Sequence, residues 1–152
     1  MPPPSRRVWC SCTVIYYLVG KSEAEPCRQI VEQIKREPGQ HEIIVSVLAE
    51  AEVVKLEDVE DDIAEKRILE FLGRDYVVRV PMDILIAEDA RRLVRKYQIK
   101  PLDAVHIATA LYHEIPILET YDEEMIERVN EKEGMPPLVI RKPVYEGQLS
   151  LS

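Results

Sequence analysis

The sequence predicts an α/β protein in three layers (α/β/α), with a central, mostly parallel sheet of four to five strands covered by helices on both faces. Short apolar segments alternate with helical segments along nearly the whole chain, the pattern of strands buried on both faces and joined by crossover helices. Prolines fall at the borders of these segments: Pro26 near a helix start, Pro38 after a helix, Pro81 and Pro101 before helices. With 152 residues and neither repeat nor low-complexity linker, the chain suits one domain. That domain is expected over residues 6–143, between a disordered N-terminal tail (1–5) and a C-terminal tail (144–152).

The first strand is expected from Val8 to about Ser11, followed by a short apolar helix through Val14-Ile15-Tyr16-Tyr17-Leu18. Gly20 breaks the chain, and a helix runs from about Ser22 to Arg36. Glu42-Ile43-Ile44-Val45 reads as a buried strand. Ser46 then suits an N-cap for a long helix reaching about Asp58. A helix from Asp61 to Leu72 and a strand Tyr76–Val80 follow. Helices Met82–Tyr97 and Leu102–Tyr112, a strand Ile115–Leu118, a helix Glu123–Asn130 and a short strand Leu138–Ile140 complete the order.

Composition excludes several functions. No window approaches about 18 uninterrupted apolar residues, so no membrane-spanning helix is expected, and the N-terminus lacks the apolar core of a secretory signal. Three cysteines, an odd number, argue for reduced thiols and a cytoplasmic setting. The five glycines are too scattered for a phosphate-cradling loop. A formal net charge of −8 opposes tight nucleic-acid binding by bulk electrostatics, though Arg91-Arg92, Arg95-Lys96 and Lys100 form a local basic cluster. On charge alone that cluster reads as a solvated helix face.

In parallel sheets, ligands collect beyond the carboxyl ends of the strands. Three acids are expected near there. Asp103 sits in the first turn of a helix that is apolar over most of its circumference, where free amides and the helix dipole favour a carboxylate. His106 and His113 share its stripe. As a hard-metal ligand or as a simple cap, Asp103 reads equally well. Asp122 follows a strand, but Thr120-x-x-Glu123 is a capping-box pattern, and alone it reads as a cap. Glu50 and Glu52 flank the apolar stripe of their helix, and periodicity does not choose between them. Clustered carboxylates repel unless cations bind between them. Mg²⁺ or Mn²⁺ suits an all-oxygen site and bridges to phosphate, an arrangement fitted to phosphodiester hydrolysis. Cys10-x-Cys12 is a single thiol pair and reads as core packing rather than zinc, as does Cys27. His41 is assigned nothing.

Pro101-Leu102-Asp103-Ala104-Val105-His106-Ile107-Ala108-Thr109-Ala110 resembles the third-acid helix of the PIN domain family, the nuclease fold of VapC-type toxins. Leu118-Glu119-Thr120-Tyr121-Asp122 is similar to the family's later Thr-x-Asp segment. Ser46–Val53 is similar to its second-acid helix and selects Glu52. The first segment departs from the pattern: where the family ends its first strand in an aspartate, followed by a small polar residue and an apolar helix, this reading places Ser11. The resemblance implies a Mg²⁺- or Mn²⁺-dependent endoribonuclease, the toxin of a VapBC-like pair, with catalytic, metal-holding Glu52, Asp103 and Asp122 and a metal-activated water as nucleophile. Ser11 and Thr120 would orient water or substrate, Arg91 and Arg92 would contact RNA, and Glu119 would offer a substitute carboxylate. A small antitoxin and a second copy of the chain are the implied partners, the dimer using the apolar segments Val14–Leu18 and Ile84-Leu85-Ile86. The alternative is a catalytically inactive PIN-like module that binds RNA or protein, because Ser11 replaces the first aspartate.

Overall fold

A computed structural model describes residues 2–149. Met1 and residues 150–152, parts of the two expected tails, lie outside the described residues. Five strands, β1 (Ser5–Trp9), β2 (His41–Ser46), β3 (Val77–Val80), β4 (Ile117–Glu119) and β5 (Val139–Arg141), form one sheet in the order β3-β2-β1-β4-β5. Every pairing is parallel. The helices are α1 (Ser11–Val19), α2 (Glu25–Arg36), α3 (Val47–Glu52), α4 (Asp61–Leu72), α5 (Ile84–Tyr97), α6 (Pro101–Tyr112), α7 (Glu123–Val129) and α8 (Glu146–Leu149). Among the described residues, no helix is long and apolar enough to cross a membrane.

Successive side chains of a strand point to opposite faces, and each face has its own core. Val8, Ile44, Leu118 and Ile140 meet Ile86, Leu93, Ala104 and Ile107 from α5 and α6. Trp9, Ile43 and Val45 meet Val14, Ile30, Ile68 and Phe71 from α1, α2 and α4. Trp9 stacks on Phe71 with ring centroids 6.1 Å apart. The three expected layers are therefore present.

Four expectations change. The first strand is Ser5–Trp9 rather than Val8–Ser11, so Ser5 belongs to the sheet instead of a tail. Its neighbours decide this, since Ser5 to Val8 pair with His41 to Ile44. The helix after it consequently starts at Ser11, with Cys10 at the N-cap, and ends where Gly20 adopts φ 83°. A left-handed residue there costs glycine nothing. The helix after Ser46 stops at Glu52 rather than near Asp58. The β-branched pair Val53-Val54 that follows is a poor continuation, and Val53 and Leu56 turn into the core. Finally, residues 146–149 of the expected C-terminal tail form α8.

Candidate acidic site at the carboxyl ends of the strands

The loops after β1, β2 and β4 and the start of α6 converge beyond the sheet. Glu52 closes α3, whose N-cap Ser46 accepts a hydrogen bond from the Leu48 amide at 3.2 Å. Ser11, at the start of α1, donates its hydroxyl to Glu52 Oε1 at 2.9 Å. His106 Nε2, one turn along α6 from Asp103, stands 3.6 Å from the same oxygen. His106 is 1% exposed, and among the described residues its Nδ1 has no hydrogen-bond partner. The bond with His106, and then that from Ser11, hold the Glu52 carboxyl below its usual range against the effect of burial. Glu50 turns away and pairs with Arg79 at 2.9 and 2.5 Å.

Asp103 and Asp122 meet as a pair that shares a hydrogen bond. Burial, the bond to Asp122, the Asp122 charge and the charge of Glu52 push the Asp103 carboxyl up to about 7, against the pull of Lys100. For Asp122 burial acts upward. The bond from Asp103, the amides of Met125 and Glu124 and the charge of Lys100 outweigh it, so its carboxyl lies below the usual range. Two carboxylates this close hold one proton between them near neutrality. Asp122 is also the N-cap of α7, its Oδ1 accepting from the Glu124 and Met125 amides at 3.0 and 3.2 Å. Capping and pairing are thus properties of one side chain. Thr120, fully buried, accepts from the Asp122 amide at 3.1 Å and fixes the turn between β4 and α7.

Ser11, which opens the apolar helix, brings a hydroxyl rather than a carboxylate to Glu52. Cys10 precedes it, one residue past the end of β1. Burial, Cys12 and the charges of Asp103 and Glu52 push its thiol well above the usual range, while a bond with Thr120 acts the other way. It is a neutral neighbour of the acids. Cys12 Sγ lies 3.5 Å from Thr120 Oγ1. The signal for the end of β1 was the helical run from Ser11 to Val19, which leaves Trp9 as the last strand residue. His106 had a signal too, its three-residue spacing from Asp103.

The other predicted residues separate from this group. Arg92 pairs with Asp89 at 2.7 Å and Glu133 at 2.8 Å. Arg91 lies beside it on α5, and among the described residues no bond or ion pair joins either arginine to the acids. Glu119 is not a substitute ligand. Its side chain is fully buried, bound to Arg7 Nη1 at 3.1 Å, Trp9 Nε1 at 2.9 Å and the Val144 amide at 3.4 Å. A strand side chain two residues from Tyr121 faces the core, and here the basic and indole donors of β1 claim it.

Among the described residues, no group of three or more His, Cys, Asp and Glu side chains is arranged to hold a metal ion. The Asp103–Asp122 pair nevertheless fits one hydrated divalent cation. Mg²⁺ commonly uses one or two carboxylates and completes its shell with water and phosphate, a donor set that these two side chains match.

The family model for the PIN domain matches residues 11–132. Among solved structures, a toxin–antitoxin complex from Klebsiella pneumoniae is similar at TM-score 0.58 and 23% identity, over 90% of this chain and 97% of that one. VapBC2 from Rickettsia felis, solved bound to a DNA fragment from its promoter, is similar at TM-score 0.62 and 13% identity over the same shares. At these identities the likeness establishes a common fold. Among curated proteins none matches the sequence.

Proposed function

The chain belongs to the PIN domain family, and from that premise we propose that it is a VapC-like toxin, an endoribonuclease that hydrolyses RNA phosphodiester bonds with Mg²⁺ or Mn²⁺. The observation that carries this reading is the Asp103–Asp122 pair, two carboxylates sharing a proton at the carboxyl ends of parallel strands. Asp122 also caps α7 and Asp103 lies in the first turn of α6, and a bound cation would relieve the repulsion between them. Asp103 and Asp122 would hold the ion, and Glu52 stands at the same end of the sheet beside Ser11 and His106. When bound, the ion supplies Lewis acidity to the phosphoryl oxygens and a lowered pKa to a bound water.

The remaining work falls to the chain. Glu52, oriented by Ser11 and His106, accepts a hydrogen bond from the attacking water and aims it at phosphorus. Thr120 fixes the backbone that presents Asp122. Lys100, whose charge acts on both aspartates, balances the developing negative charge. Arg91 is the basic residue of the α5 pair left without an ion pair among the described residues, and it tracks the RNA backbone; Arg92 joins it when Glu133 exchanges partners.

A formal charge of −8 suits a small basic antitoxin as inhibitor. The homodimer expected from the sequence would use Ile84 and Leu85, which are 76% and 59% exposed. Ile86 and the apolar residues of α1 pack inward instead.

A second reading, an inactive PIN-like module that binds RNA or protein, is favoured by one observation: a neutral hydroxyl, Ser11, meets Glu52 where the resemblance expects the first aspartate. Cleavage of single-stranded RNA in excess Mn²⁺ separates the two. The nuclease reading expects Asp103→Asn to lower the rate about 100-fold or more, and Ser11→Asp to raise it about tenfold by adding a hard ligand. Asp103→Asn cleaving as fast as the unaltered protein would overturn it. Cleavage absent from both the unaltered protein and Ser11→Asp would leave the binding module.

A further inference from the structure

Beside the acid pair stands an aromatic stack that the nuclease reading does not use. Tyr121, between Thr120 and Asp122, stacks on Tyr16 of α1 with ring centroids 4.5 Å apart and planes 27° from parallel. Both rings are only partly buried. Lys21 Nζ lies 4.6 Å from the Tyr16 ring centre. The Tyr121 hydroxyl donates to the Glu23 carbonyl at 2.9 Å and lies 3.5 Å from Cys27 Sγ. The ring is therefore fixed before any ligand arrives. Among the described residues, no second ring or cation lies on Tyr121.

We propose that Tyr121, backed by Tyr16, is a stacking shelf for an unpaired nucleobase next to the phosphodiester held at Asp103 and Asp122. The proposal deepens the nuclease reading and rests on it for the identity of the substrate. An aromatic face anchored at its far end accepts any base at little entropic cost, and an extended strand can put a base on Tyr121 while its backbone passes the neighbouring Asp122. Lys21, paired with Glu57 Oε2 at 3.7 Å, lies at the Tyr16 end of the stack. Base-paired RNA cannot reach such a shelf, so the substrate class is single-stranded RNA or a loop.

The test measures binding of a short single-stranded oligoribonucleotide containing 2-aminopurine, using full-length protein carrying Asp103→Asn so that cleavage does not interfere. Stacking is expected to quench the 2-aminopurine at one position. Tyr121→Leu is expected to weaken binding about tenfold, within the 1–3 kcal/mol that a stacked base contributes, and Tyr121→Phe to restore it to within about threefold. An oligonucleotide abasic at the quenched position should bind the protein with intact Tyr121 about tenfold more weakly than the complete one. That arm needs no change at Tyr121 and stands even if the leucine variant misfolds. Equal binding of abasic and complete oligonucleotides, or equal affinity of the leucine and phenylalanine variants, would overturn the shelf. Cleavage by the unaltered protein judges the nuclease reading separately: RNA cut with no stacking signal sinks the shelf alone, and stacking without cleavage sinks the nuclease reading alone.

Discussion

Glu119 and Asp122 are three residues apart on one strand and turn, and their surroundings are opposite. Glu119 is sealed from water and bound by Arg7, Trp9 and a backbone amide. Asp122 is partly exposed and faces another carboxylate. The more deeply buried acid is the one with no free capacity. Burial therefore does not mark a reactive acid here. The mark is an acid whose nearest neighbour is a second acid, with no guanidinium to compensate.

The largest effect should come from breaking the satisfied side. Glu119→Ala leaves Arg7 charged, buried and unpaired, and should cost about 3–5 kcal/mol in urea unfolding. The double change Arg7→Met with Glu119→Leu should recover most of that loss. A Glu119→Ala protein as stable as the unaltered one would show that the sealed pair is not what holds β1 to β4.

On the unsatisfied side, a cation should stabilise. Mn²⁺ at about 100 times its Kd should add about 2.7 kcal/mol to unfolding, seen as a higher Tm and reversed by chelation. Isothermal titration should show that Asp103→Asn and Asp122→Asn each abolish the heat of binding, while Glu123→Gln does not.

Asp103 should also cost stability without metal. Its carboxyl is near the ordinary range of about 3.9 when unfolded and about 7 when folded. Stability should fall as pH rises from about 4 to 7 and level off above, because the folded state binds the extra proton. Asp103→Asn should therefore raise Tm by about 2–5 °C at pH 8 and by nothing at pH 3.5. A lower Tm at pH 8 would mean that the pair is not repulsive.

The smallest effect concerns Glu133, the acid most richly supplied with partners at the surface. Burial acts upward, but bonds from Arg92, Tyr97 and Lys96 bring its carboxyl down to about 2. Its contribution should be complete above about pH 4.5 and fade as pH falls toward 2. Because Arg92 and Lys96 are largely exposed, Glu133→Gln should cost about 1 kcal/mol or less at pH 7 and flatten the acid limb of a stability–pH curve.

Much of this was legible in the sequence. Alternating apolar segments and bordering prolines identify the parallel sheet, and the Asp103 helix with the Thr120–Asp122 turn identifies the two acids that meet. Glu52 required the resemblance, since periodicity leaves Glu50 and Glu52 equivalent. The partner that separates them, Arg79, lies across the sheet on β3. The end of β1 was read about two residues late, because only pairing with β2 defines that strand. The fate of Glu119 depends on Arg7 and Trp9, more than a hundred positions earlier, a distance over which local pattern carries no information.

The strand order has one more consequence, for the order of synthesis. β1 occupies the middle of the sheet, yet one of its two neighbours is β4, made near the other end of the chain. Asp103 and Asp122 are likewise late. A nascent polypeptide emerging from a ribosome carries Cys10 and Glu52 early but cannot assemble the acid pair until Asp122 has been translated and released from the exit tunnel. On the proposed nuclease reading, the site that would cut RNA is thereby absent until synthesis is nearly done.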